Sequence, residues 1–387
     1  MLTHNLALAQ SPSTLDVFEG RAGIAQRLLQ PYRIAVYDMI ASQCRGGLSV
    51  FASRFDHHNA LVTECSPAIA QLAPAANRYF FSGKFDLCWQ AGLQQWLRTW
   101  RPDLVIVEAN PRNLSTPLMI HWLHKHGCRV MGHGLGVFPL SSGFETLRDF
   151  GRRKLVGMLD GILAYSSLAG KQYEELGMPR DRIFVAHNAT AARPTHPLPA
   201  RPSRLPNRPV LLFVGALIPR KNVDLLLRAC KDLRTNPKPI LKLVGEGALK
   251  KRLQEKALSL GLDCQFLGDL RGAALKNVFE EADLFILPGT GGLAVQEAMA
   301  HGLPVIVSKA DGTEGDLVRE TNGWLIKPDN VELLASTIDH ALSNPRLLRE
   351  KGEASYRIVA SEINIENMSS TFVRGMCSIA SKPIRKG

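Results

Sequence analysis

Leu287-Pro288-Gly289-Thr290-Gly291-Gly292-Leu293-Ala294-Val295-Gln296-Glu297-Ala298-Met299-Ala300-His301-Gly302-Leu303-Pro304-Val305-Ile306-Val307 decides the fold. It reads as a strand end, a glycine loop, a short helix, a turn and the next strand. Gly289, Gly291 and Gly292 let a backbone come close to a ligand. The helix that follows starts with unpaired N–H groups aimed at the loop, which is a site for phosphate. Glu297 lies about one turn further in, where a carboxylate reaches sugar hydroxyls rather than phosphate. A nucleotide-sugar site is the leading expectation.

Outward from this stretch the same pattern repeats. Val210–Gly215, Pro239–Gly245, Asp283–Leu287 and Pro304–Ser308 are apolar runs, with helical patterns such as Val223–Leu233 between them. Continuous apolar strands alternating with helices predict a parallel sheet covered on both faces, with ligands beyond the strand C-termini. In the first half, Leu104–Val107, Arg129–Met131, Gly161–Ala164 and Ile183–Ala186 read as buried strands, and Leu87–Trp100 and Leu118–His126 as helices. Pro31–Cys44 reads as a helix ended by Gly46-Gly47 before a strand Leu48–Ala52, with a strand at Arg33–Ile40 as the alternative. Six prolines within 193–209 leave neither helix nor strand there, so this is a stiff linker.

The chain has 387 residues, 45% apolar and 21% charged, which predicts two globular domains. No apolar run approaches the roughly 18 residues of a membrane span. Met1-Leu2-Thr3-His4-Asn5 lacks a basic-then-apolar opening, so no secretion signal is expected. Seven scattered cysteines without a Cys-x-x-Cys pair suit reduced thiols in the cytoplasm, with neither a disulfide frame nor a zinc site. The net charge of +12, spread over both halves, suits nucleotide phosphates or an acidic membrane face. Nucleic acid is disfavoured because no binding motif accompanies the charge.

Several positions could carry chemistry. Phe213–Asn222 ends a strand with Gly215 and the adjacent cations Arg220 and Lys221; lysine neutralises a diphosphate as a point charge, and arginine forks two oxygens. Solvated loop charges are the plain alternative. Val244-Gly245-Glu246-Gly247 turns the chain at another strand end, with ligand contact the lesser reading. Asp311-Gly312-Thr313-Glu314 could bring amides or carboxylates near the sugar. His133, between Gly132 and Gly134 past a strand, either faces a cleft or ties its loop to a carbonyl. Glu108 and Asn110, beyond the neighbouring strand, either point into that cleft or order their loop. His121, His124, His126 and Cys128 read as a solvated helix end rather than a metal site, and Arg152-Arg153-Lys154 as a solvated face.

Taken together, these residues resemble the family 4 retaining glycosyltransferases of GT-B fold. The resemblance is carried by Phe213–Asn222, Val244–Gly247, Phe266-Leu267-Gly268, Leu293–Val307, Asn322-Gly323-Trp324 and, more weakly, Gly132-His133-Gly134. It implies two facing Rossmann-like domains: residues 1–192 on the acceptor side, joined by a last helix within 362–387, and residues 210–361 binding the nucleotide sugar. It implies that Glu297 holds the donor ribose, that Lys221 holds the diphosphate, and that His133 lies beside the transferred sugar. Gly215, Gly245, Gly289 and the amides of Gly291, Gly292 and Leu293 complete the expected donor site. Glu108, Asn110 and His133 form the expected acceptor side.

Two departures stand out. The family's glutamate eight positions before Glu297 is Gly289 here, and the arginine five before the loop lysine is Ala216, with Arg220 the candidate substitute. The expected reaction moves a glycosyl unit from a nucleoside-diphosphate sugar to a hydroxyl with retention and without a required metal or cofactor. The expected acceptor is a saccharide or lipid-linked saccharide of polysaccharide, glycolipid or lipopolysaccharide synthesis. The expected location is cytoplasmic, peripheral on the inner membrane face. The alternatives are a sugar-nucleotide 2-epimerase of similar plan and a catalytically silent nucleotide-sugar-binding protein.

Overall fold

The computed structural model describes residues 16–56, 61–81, 87–137 and 145–385. The N-terminal residues read above for a secretion signal lie outside these. A parallel seven-stranded sheet is built from β1 (Ala22–Leu28), β2 (Leu48–Ser53), β3 (Gln71–Pro74), β6 (Leu104–Glu108), β7 (Arg129–Gly134), β8 (Gly161–Ala164) and β9 (Ile183–Val185). Its order is β3-β2-β1-β6-β7-β8-β9. A second parallel sheet contains β10 (Val210–Val214), β11 (Ile240–Val244), β12 (Cys264–Gly268), β13 (Leu284–Leu287), β14 (Val305–Ser308) and β15 (Gly323–Ile326). Its order is β12-β11-β10-β13-β14-β15. Both are doubly wound α/β sheets, and in each the strand order reverses beside the first strand, where a crevice opens at the strand C-termini.

The central strands β6, β8, β13 and β14 are buried on both faces, which is why they read as unbroken apolar runs. The helix Val223–Asp232 covers the second sheet by burying Leu225, Leu226, Leu227 and Ala229. Each buried leucine there contributes about 1.5–3 kcal/mol.

Pro31–Arg33 forms a 3-10 turn leading into the helix Ile34–Ala41, in line with the helical reading of that stretch. Leu87–Trp100 differs from expectation. Its first part is β5 (Leu87–Ala91), antiparallel to β4 (Ala76–Phe80), and the helix spans Leu93–Trp100. Gly92, at φ +83°, turns the chain between the two, a conformation glycine adopts freely.

The proline-rich segment carries neither helix nor strand and is fastened to the second sheet's layer. Arg201 donates to the carbonyls of Phe279 (3.0 Å) and His301 (3.1 Å). The helix Ile365–Ala380, capped by Asn364, lies on the first sheet: Ile379 packs on Gly161, and Gly375 on Phe184 and Leu163. Among the described residues no helix is long and apolar enough to cross a membrane.

Candidate functional site

At the crevice of the second sheet, the loop after β10 meets the loop after β13. Thr290 N–H donates to the Arg220 carbonyl at 3.0 Å, and the Lys221 ammonium donates to the Thr290 carbonyl at 2.6 Å. Burial, and next the charge of Arg220, pull the Lys221 pKa below its ordinary value, while Asp311 opposes them. Lys221 closes a 3-10 turn, Pro219–Lys221, and Asn222 at φ +53° redirects the chain before its helix begins at Val223.

Gly291 adopts φ +118°, and a Cβ there would lie 2.5 Å from Lys221 Nζ. A Cβ on Gly289 would fall against the backbone of Arg220 and Lys221, 2.5 Å from the Lys221 carbonyl carbon. Gly289 therefore has a structural reason for standing where the family's glutamate stands: the two loops touch backbone to backbone. Gly245 and Gly247 do the same for the first loop, because Cβ atoms there would strike Gly215 and Leu217. Leu217 N–H donates to the Glu246 carbonyl at 2.8 Å, which fixes this loop against its neighbour.

The helix Leu293–Ala300 begins at Gly292 without a side-chain cap, so its first amides lack intrahelical acceptors, and the loop just before it holds the Lys221 ammonium. The helix's positive end adds to that ammonium. One turn along, Glu297 lines a cavity of about 230 Å³ with Leu293, Val214, Thr190 and Tyr32. Tyr32 comes from the loop after β1, so residues of both sheets border this space.

Asp311 and Glu314 are occupied within their own turn. Glu314 accepts from the amides of Ala310 (2.7 Å) and Gly312 (2.9 Å), and Asp311 from Thr313 N–H (3.1 Å). These carboxylates order the loop.

At the crevice of the first sheet, Glu108, Asn110 and His133 line one cavity of about 490 Å³. Glu108 spends both oxygens on Arg27, accepting from its amide at 2.9 Å and its Nε at 2.7 Å. Asn110 accepts from Arg112 N–H at 3.1 Å, which shapes its own turn. His133 is 3% exposed, and among the described residues neither ring nitrogen has a hydrogen-bond partner. Its ring instead meets Tyr165 and Phe372 edge-on, at 4.2 and 4.8 Å between centroids. Burial, then the nearby Arg33 guanidinium, hold its pKa well below 6.5. His133 is thus a neutral imidazole, and its ring nitrogens bind no loop carbonyl.

His124 donates its Nε2–H to the buried Asp160 carboxylate at 2.9 Å, and His126 donates to the Trp122 carbonyl at 2.8 Å. Among the described residues no histidine, cysteine and carboxylate cluster could hold a metal.

Several residues around the crevices carried no motif. Arg33 is buried and donates to the Ala189 carbonyl (3.2 Å) and the Asn188 side chain. Gln296 accepts from Thr190 N–H (2.8 Å) and donates to the Asn188 carbonyl. Asp316 accepts from Ser167 N–H at 2.7 Å, joining the second unit to the first. Arginine inside the turn Pro31–Arg33 was the one available signal, since a charge set in an apolar pattern has to find partners.

Two doubly wound units that border a common cavity, one with a cation and a bare helix N-terminus at its switch point, have the architecture of a GT-B glycosyltransferase. The solved structure of Anabaena Alr3699/HepE in complex with UDP is similar, with a TM-score of 0.69 at 16% identity, covering 92% of this chain and 99% of that one. Residues 199–358 match the glycosyl transferases group 1. The GDP-mannose-dependent alpha-mannosyltransferase of Mycolicibacterium smegmatis is 30% identical over 273 residues, 65% of this chain and 68% of that protein. An uncharacterized glycosyltransferase of Methanocaldococcus jannaschii, MJ1607, is 31% identical over 140 residues, 35% of this chain and 36% of that protein. The matches thus span about a third of one of these curated relatives and about two thirds of the other. The chain belongs to the group 1 glycosyl transferases.

Proposed function

We propose that this protein transfers a glycosyl unit from a nucleoside-diphosphate sugar to a hydroxyl of a saccharide or lipid-linked saccharide, with retention at the anomeric carbon. The observation that carries the reading is the Lys221 ammonium held on the glycine loop, beside an uncapped helix N-terminus. A departing diphosphate gains charge as its bond to the sugar breaks. Lys221, Arg220 and the amides of Gly291, Gly292 and Leu293 stabilise that charge, and no metal or other cofactor is required.

In this reading Glu297 binds the ribose, while Gly215, Gly245 and Gly289 let the loops close around the nucleotide. Neutral His133 hydrogen-bonds the transferred sugar. Within a retaining reaction, same-face attack rather than double displacement is supported by the state of Glu108: its two oxygens are engaged with Arg27, so it is not offered as a nucleophile. The acceptor oxygen then attacks the face the leaving group vacates, and its proton passes to the departing phosphate. Closure of the cleft limits donor hydrolysis. The acceptor belongs to polysaccharide or glycolipid synthesis, on the cytoplasmic face of a membrane that the positive protein approaches.

The test is a thermal-shift screen of nucleotide sugars, uridine and guanosine donors included, followed by transfer assays with the stabilising donor. Lys221→Ala and Glu297→Ala should stay folded and lose most transfer. Full activity of either purified variant overturns the site.

A further inference from the structure

A cavity of about 390 Å³ in the first unit shares no lining residue with the donor cavity or with the His133 cavity. Trp89, on β5 and 36% exposed, forms part of its wall, and so does Met119 of the helix Ser115–Lys125. Gln94 and Gln95, in the first turn of the helix Leu93–Trp100, supply its free polar groups. Among the described residues their side-chain amides make no hydrogen bond within the protein. None of the described lining residues is charged, in a chain whose residues are 21% charged. Arg78, the register partner of Trp89 across the β4–β5 hairpin, stays outside the lining.

The base of the cavity is fixed by a closed polar network. Gln90 and Ser115 are buried, and Gln90 N–H donates to Ser115 Oγ at 3.3 Å. Ser115 donates to the Asn113 side chain at 2.8 Å, and Asn113 donates to the Gln90 carboxamide at 2.9 Å. Gln90 Nε2 is spent on the Gln26 carbonyl at 2.9 Å. With these groups engaged, the hydrogen bonds left for a guest are those of Gln94 and Gln95, held against the indole by a rigid support.

One indole, two free carboxamides and no charge select among ligands. A phosphate or carboxylate would lose hydration there without a counter-charge. A purely apolar chain would cover the carboxamides without pairing them. A neutral pyranose meets both features: its ring C–H groups give an apolar face for the indole, and its hydroxyls donate and accept, as a carboxamide does.

The cavity adjoins the first-sheet crevice along the chain. Arg112 lines the His133 cavity and Ser115 lines this one, so their Cα atoms lie within about 11 Å, the reach of three extended residues. The strand bearing Trp89 is tied to the same loop: Cys88 N–H donates to the Arg112 carbonyl at 2.9 Å, and Leu114 N–H to the Cys88 carbonyl at 2.8 Å. We infer that this cavity is a saccharide subsite, separate from the reaction cleft, which holds a neutral pyranose of the acceptor away from its reacting end. The site stands on its own lining; calling its guest part of the acceptor rests on the glycosyl-transfer reading and deepens it.

The test is calorimetric titration of the full chain with maltotetraose, mannotetraose and tetra-N-acetylchitotetraose, without donor. At least one should bind and move the indole emission to shorter wavelength. Trp89→Ala should weaken that binding by about tenfold or more, the scale of a lost aromatic contact and its buried area. Gln94→Leu combined with Gln95→Leu should weaken it by a similar factor, and Trp89→Phe by less, with the emission shift gone. Lys221→Ala should bind like the parent. The inference is overturned if none of the three saccharides binds, if Trp89→Ala binds like the parent, or if Lys221→Ala abolishes binding. Stabilisation by nucleotide sugars in Trp89→Ala tests the transfer reading separately: it should persist, and the loss of donor response in every protein would overturn that reading while the saccharide site stands.

Discussion

At the scale of single residues, the site turns on atoms with no spare room or no spare partner. Lys221 is held by one carbonyl, and Gly291 leaves its ammonium just enough space. Gly291→Ala should strain the backbone by about 1–3 kcal/mol and push the ammonium off Thr290. Donor affinity, measured by titration calorimetry, should fall while far-UV circular dichroism stays the same. Lys221→Ala removes a charge facing the leaving group, and kcat should drop by about a hundredfold or more, as when one preorganised donor is lost.

His133 gives a pH signature. Its folded pKa lies well below the unfolded 6.5, so above 6.5 both states are neutral and its contribution is complete. Below 6.5 the unfolded chain gains a proton that the native state refuses, and stability falls by up to about 1.4 kcal/mol per pH unit. His133→Phe, a fit for its aromatic neighbours, should flatten the decline of Tm between pH 6.5 and 5. Parallel curves for parent and variant would contradict this account.

At the scale of elements, the two loops over the second sheet behave as one unit because their backbones touch. Gly289→Ala sets a Cβ against backbone that cannot rotate away, so it should cost about 1–3 kcal/mol of stability by denaturant unfolding. Gly289→Glu, which restores the family's residue type, should unfold at least as readily and leave donor affinity no better. Most elements of the second half are legible in the sequence, because strands buried on both faces read as apolar runs and amphipathic helices show their period. In the first half, β1 is central, yet of its first four residues Ala22, Gly23 and Ala25 are small and carry little strand signal, leaving Ile24 alone to mark it. Space explains the choice: a Cβ on Gly23 would lie 2.9 Å from the Trp96 ring. β5 alternates inward and outward, but buried Gln90 occupies an inward position. Its amide is satisfied by the Gln26 carbonyl and by Asn113, partners distant in sequence, so polarity hides the strand.

At the scale of the molecule, the two units are joined by polar clamps rather than by the linker alone. Gln296 bonds Asn188 and Thr190 where the chain leaves the first sheet, Arg33 bonds the same segment from the other side, and Asp316 holds Ser167. Gln296→Ala would leave the Thr190 amide and the Asn188 carbonyl without partners, at about 1–3 kcal/mol. Small-angle scattering should show a larger radius of gyration for this variant, and thermal unfolding should begin earlier. An unchanged radius and Tm would mean that Gln296 does not hold the units together.

The sequence by itself determined the doubly wound sheets, the glycine loop with its helix, and the cation after β10, because periodicity and glycine placement act over a few neighbouring residues. It left Glu108 and His133 each with two readings. Tertiary structure decided that Glu108 is bound by Arg27 and that His133 stays neutral and unbonded, and it brought Arg33 and Gln296 together on the Asn188–Thr190 segment. Burial, charge and hydrogen-bond partners at these positions come from segments far apart in the chain, and they exist only once the two sheets have formed and met.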